Sequence, residues 1–185
     1  MHRVATVFLV GGAVDPVSAQ HVHRQVSPNS RAKPYDRRFL TVQEFAAIER
    51  LSELIIPADA ISGSARDAGA PAFIDLLCSV RRELGLTYRE GLAWFDSEMQ
   101  SRYSKRFVSA SATEQEDLLL KLAAADPSVA PGRRFWILLR RMVVDAFYSS
   151  PLGIHDLGFQ GNTSSTKFVV PQHILEHALR KSPFS

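Results

Sequence analysis

Three groups of residues in this chain have types and spacings that could carry chemistry. His173-Ile-Leu-Glu176-His177 matches the H-x-x-E-H pattern of one class of zinc peptidases, with two histidines one helical turn apart. A metallohydrolase built on His173, Glu176 and His177 is therefore one alternative reading. Against it, no acidic residue follows Glu176 to complete a ligand set, and three fixed positions recur easily by chance, so a polar helix face fits better. His21 and His23 could grip a metal as a pair, but two histidines alone make a weak site. Cys78 lies within an apolar stripe with no histidine near it in sequence, which suits a small core residue rather than a nucleophile.

Motifs that normally mark a reaction are missing. There is no G-x-S-x-G elbow, no phosphate-cradling glycine loop and no G-x-G-x-x-G after a strand. A single cysteine excludes an internal disulfide, a C-x-x-C redox pair, a cysteine-rich zinc site and a C-x-x-C-H haem attachment. We expect no catalytic, cofactor-binding or metal-ligating residue in the chain. A helical binding module for some exported partner is the other alternative.

The frame that must position any surface is of ordinary size. With 185 residues, 45% hydrophobic and 22% charged, the chain suits one globular domain with a real core. A net charge of +3 argues against nucleic-acid binding or direct membrane seeking. Residues 1–19 read as a signal peptide: Arg3, the apolar run from Val4 to Val14, then the small residues Ser18 and Ala19. That run is short of the ~20 apolar residues of a spanning helix. The compartment expected is the periplasm or beyond. Residues 20–38 read as a flexible leader, and 39–185 as a helical domain. Arg37-Arg38 is followed by an amphipathic segment rather than a long apolar run, so it is not a twin-arginine signal.

From Thr41 the pattern turns helical, and the class expected is all-α, with about six helices and a long glycine-containing loop before the last. Thr41 and Glu44 form a capping box ahead of the stripe Phe45, Ile48, Leu51, Ile55, which Pro57 ends. Pro71 opens a second stripe of Phe73, Leu77, Val80 and Leu84, and Gly85 is expected to stop it. Thr87 and Glu90 suggest another capping box before Leu92, Phe95, Met99 and Tyr103. Gly91 costs that helix ~1 kcal/mol against alanine. Ser111 or Thr113 caps the helix bearing Leu118, Leu119 and Leu122; residues 133–148 form the most apolar helix; a short one starts at Pro171. Arg133, Arg134, Arg140 and Arg141 share an arc of about 120°, at 100° per residue. A solvated face is the plain explanation, and docking to an acidic surface is the functional one.

Residues 149–170 show no helical period, yet hold Leu152, Ile154, Leu157, Phe159, Phe168, Val169 and Val170. So apolar a segment should pack on its own core or on a partner.

Three stretches taken together resemble the gluconate 2-dehydrogenase subunit 3 family. They are Phe39-Leu-Thr-Val-Gln-Glu-Phe45 running on to Ile55-Ile-Pro-Ala-Asp59, then Ala68-Gly-Ala-Pro-Ala-Phe-Ile-Asp75, then the segment from Phe147-Tyr-Ser-Ser-Pro-Leu-Gly to Asn162. The resemblance covers about residues 39–165. It implies a non-catalytic small subunit that assists maturation or export of a large flavin-dependent dehydrogenase of the glucose–methanol–choline type. It also implies FAD in that partner, a multihaem cytochrome c subunit in some complexes, and membrane association only through partners. Many members carry a twin-arginine signal, from which this chain departs, having only Arg3 at its start. We expect the contact with the partner to include Tyr148, Leu157, Phe159 and Asn162, because aromatics supply anchor area and the neighbouring glycines permit close approach.

Overall fold

The computed structural model describes residues 35–158, Val170 and Gln172–Arg180. Residues 1–34, which include the expected signal peptide and most of the leader, lie outside the described residues, as do Phe159, Asn162, Phe168 and Val169. Seven α-helices follow in order: α1 (Val42–Ile55), α2 (Ala70–Val80), α3 (Arg82–Tyr103), α4 (Ala112–Ala123), α5 (Ala130–Tyr148), α6 (Pro151–Asp156) and α7 (Gln172–Arg180). Two short 3₁₀ turns, Phe107–Ser109 and Pro127–Val129, join α3 to α4 and α4 to α5. No strand occurs among the described residues, and the all-α expectation holds.

The packing order follows from apolar content. Nine consecutive residues of α2, Ala70 to Cys78, are buried, because this helix is apolar nearly all round and so belongs at the centre. α1, α3 and α5 pack around it, and α4 and α6 lean on α5. α3 and α5 approach closely through two reciprocal contacts. A Cβ on Gly91 would stand 2.1 Å from the Phe135 ring, and one on Gly132 would stand 2.0 Å from the Trp94 ring. Gly91 thus gives up intrinsic helix propensity so that a core aromatic can lie on its backbone.

Asp75, fully buried on α2, ties the chain preceding α1 to the core. Its carboxylate accepts the backbone amides of Arg38 (2.7 Å), Phe39 (3.1 Å) and Leu40 (2.7 Å) and the Tyr35 hydroxyl (2.9 Å). From α3, Arg89 stacks over the Phe39 ring at 4.3 Å and donates to the Phe39 carbonyl. Residues 35–38, expected to belong to a flexible leader, are therefore anchored at their end. Thr41–Glu44 forms a complete capping box, as expected, and of the two candidate caps of α4 it is Ser111 that acts, forming a second box with Glu114.

Three local expectations are corrected. Gly85 does not end a helix: α2 stops at Val80, Arg81 breaks the run with φ −128°, and Gly85 sits inside α3 where the Phe39 ring leaves no room for a Cβ. The Thr87–Glu90 pair is no cap, because the Thr87 hydroxyl donates to the Glu83 carbonyl one turn back, a habit of threonine within helices. The same break at Arg81 leaves Val80 exposed instead of in the core stripe. Thirdly, residues 149–158 are not wholly irregular, since Pro151–Asp156 is a helix. Six residues are too few to show a period, but its punctuation is plain. Ser150 caps it, Pro151 takes its first position, and Gly158 follows it at φ +61°.

Candidate partner interface

Among the described residues, those with chemical potential do not assemble into a reactive centre. Cys78 is 1% exposed, and burial, helped by the nearby negative charge of Asp75 and Glu44, pushes its thiol up to about 12. At neutral pH it is a protonated core group. His173, Glu176 and His177 are all exposed on α7. Among the described residues no group of three or more His, Cys, Asp or Glu is placed to hold a metal ion. His21 and His23 lie outside the described residues. A cleft of about 560 Å³ between the start of α1, α3 and the first 3₁₀ turn is lined by Glu44, Arg89, Asp96 and Arg106. Each of these is already engaged in holding the fold. Arg89 pairs with Glu44, Arg106 donates to Gln43, and Asp96 accepts the Phe107 amide at 3.0 Å.

Two of the expected contact residues bracket the corner where α5 turns into α6: Tyr148 ends α5 and Leu157 directly follows α6. The Ser150 hydroxyl donates to the Phe147 carbonyl (2.6 Å) and accepts the Gly153 amide (3.0 Å), so one buried side chain closes one helix and opens the next. α6 then lies so tightly on the end of α5 that a Cβ on Gly153 would meet the Phe147 carbonyl oxygen at 2.1 Å. Leu152 packs inward on the core, which answers half of the question posed by this apolar segment. The other half points outward. Tyr148, its ring edge-on to Phe147 at 5.0 Å, is 40% exposed, and Leu157 is 61% exposed. Phe159 and Asn162 lie outside the described residues.

Sequence reasoning named the four arginines of α5 but missed the relief around them. Arg133 is not part of a free face, since its guanidinium donates to the Leu122 carbonyl of α4 at 2.8 Å. The exposed ridge is instead Arg134, Ile137, Arg140, Arg141 and Tyr148, which fall within an arc of about 120° at 100° per residue. Ile137 is 55% exposed. A cleft of about 800 Å³ flanks the ridge toward α4 and α1, its apolar wall made by Leu54, Leu119, Leu120 and Trp136 and its charged rim by Arg140 with Arg50, Glu53 and Glu116. On the other flank a cleft of about 560 Å³ opens toward α3, lined by Glu90, Trp94, Arg134, Phe135 and Leu138. Leu120 was legible as an outward residue, because it falls off the Leu118, Leu119, Leu122 stripe, but nothing local tells that it borders a groove. What this arrangement can do is bind a surface: it offers apolar recesses, an apolar crest and fixed positive charge.

No helix among the described residues is long and apolar enough to cross a membrane. Neither the curated proteins nor the solved structures compared with the chain give a significant match. A family profile described as gluconate 2-dehydrogenase subunit 3 does match, over residues 42–164. That span runs from the first residue of α1 past the α5–α6 corner, and takes in all but Phe39, Leu40 and Thr41 of the residues that carry the resemblance. The chain belongs to the gluconate 2-dehydrogenase subunit 3 family.

Proposed function

We propose that this chain is the non-catalytic small subunit of an exported, flavin-dependent dehydrogenase complex of the glucose–methanol–choline type. It binds the large catalytic subunit, assists its maturation or export, and stays attached. The observation that carries the reading is membership of a family named for a subunit of a dehydrogenase, joined to an outward-facing Tyr148 and Leu157 on a corner built with no slack. A rigid corner with an aromatic and an aliphatic side chain in water supplies anchor area at small entropic cost, which favours its use as a contact. Phe159 and Asn162 extend the same contact. FAD and the oxidation step belong to the partner, a multihaem cytochrome c subunit is a further partner in complexes that include one, and membrane association comes only through partners.

The test is isolation of the tagged full-length chain from its native host. The reading expects a large polypeptide to co-purify and the eluate to show flavin absorbance. Recovery of the chain alone, from both soluble and membrane fractions, contradicts it.

A further inference from the structure

We infer that the outer ridge of α5 is a second part of the docking surface, and that it takes an acidic protein surface bearing an apolar projection. This rests on the reading of the chain as a subunit bound to a larger partner. The first support is the gathering of unpaired charge on one helix. Six basic side chains among the described residues are matched by carboxylates: Arg50 with Glu53, Arg66 with Glu49, Arg89 with Glu44, Arg102 with Glu98, Lys105 with Glu114, Lys121 with Asp117. Arg37, Arg38, Arg81, Arg82, Arg106 and Arg180 form no ion pair among these residues, but α5 alone among the described helices carries three such arginines. Arg134, Arg140 and Arg141 form no ion pair among the described residues, and all three are exposed on one face. Three guanidinium groups on one ridge repel one another, so the face gains when a carboxylate-rich surface covers it.

The second support is shape. Ile137 stands at the crest between the arginines at 55% exposure, and Leu120, 69% exposed, borders the larger cleft beside Trp136. Arg140 lines that cleft together with Arg50, Glu53 and Glu116, and Arg134 lines the one on the opposite flank with Glu90, so the recesses are of mixed charge and the positive charge stands on the ridge between them. A recess of about 800 Å³ with an apolar wall accepts a protruding side chain of a folded partner. A lipid surface has no such projection, and it would leave both recesses unfilled. Tyr148 continues the ridge to the α5–α6 corner, so one continuous face runs along the helix.

The experiment compares the tagged wild-type chain with Arg134→Glu/Arg140→Glu/Arg141→Glu and with a control, Arg37→Glu/Arg82→Glu, which reverses two exposed charges elsewhere. Each is expressed in the native host, checked for an unchanged melting curve, and assayed for co-purified flavoprotein at low and high salt. Sedimentation with phosphatidylcholine vesicles containing phosphatidylglycerol forms a parallel arm. We expect the triple variant to weaken capture on the order of a hundredfold, the control to leave it intact, and wild-type capture to fall as salt rises. Ile137→Asp, a single change on an exposed site, should weaken capture as well. Equal capture by wild type and triple variant overturns this inference while the subunit reading stands. Failure of the wild type itself to capture a flavoprotein overturns both. Vesicle binding by wild type that the triple variant loses also overturns it, by assigning the ridge to lipid.

Discussion

Replacing Asp75 by asparagine tests the most economical device in the fold. The carboxylate accepts four donors: Phe39 and Leu40 amides on one oxygen, the Arg38 amide and the Tyr35 hydroxyl on the other. Asparagine can keep one oxygen on the Phe39–Leu40 side. Its amide nitrogen then faces the Arg38 N–H, donor against donor, while the Tyr35 hydroxyl can turn to accept. The two retained bonds lose charge assistance, at about 1 kcal/mol each, and the opposed pair adds about 1–2 kcal/mol. The expected loss is about 3 kcal/mol, or a fall in Tm of about 10 °C for a domain of this size. Thermal and urea unfolding followed by circular dichroism measure it, and hydrogen exchange at the Phe39 and Leu40 amides locates it. Tyr35→Phe removes one bond at the rim and should cost about 1 kcal/mol. If Asp75→Asn unfolds within about 0.5 kcal/mol of wild type, or costs no more than Tyr35→Phe, the reasoning is wrong.

Other consequences are open to the same assays. Gly91→Ala should cost about 2–3 kcal/mol by driving a methyl into the buried Phe135 ring, and Gly153→Ala should cost at least as much because its neighbour is backbone. The Tyr88 hydroxyl is buried without a hydrogen-bond partner among the described residues, so Tyr88→Phe should stabilise the fold by about 1 kcal/mol; a loss of that size would reveal a partner. Acid should weaken the fold through its surface carboxylates. The Ser64 hydroxyl and amide hold Asp67 below the usual carboxylate range, and the Ile61 and Ser62 amides do the same for Asp59. A carboxylate lowered in the fold stabilises it above the unfolded value of about 4, and that contribution disappears as pH falls through the lower folded value. Stability should therefore decline below pH ~4, and Ser64→Ala should flatten that decline.

Much of the architecture was readable because its signals are local. A hydroxyl and a carboxylate three residues apart announce the start of α1, a capping serine or threonine that of α4, and spacings of three and four place Ile48, Leu51, Leu118 and Leu122 in the core. Errors arose where a local signal serves a distant need. Gly85 and Gly91 resemble helix stops or flaws, and each is a seat for a ring from another element, Phe39 and Phe135. The role of Asp75 was invisible for the same reason, since its partners lie 35 to 40 residues earlier. The partner surface was half legible. Helical projection gathers the arginines of α5, but only tertiary packing tells that Arg133 is engaged by Leu122 while the other three form no ion pair among the described residues. The clefts beside them exist because α1, α3 and α4 approach from elsewhere in the chain.

Photo-crosslinking from position 148 addresses the central claim most directly. A benzophenone amino acid replaces Tyr148 in the full chain, the native host is irradiated, and the adduct is identified by mass. The account predicts a predominant adduct with a large flavin-carrying polypeptide. Adducts confined to this chain's own helices, or none at all in cells that produce the dehydrogenase, would contradict it.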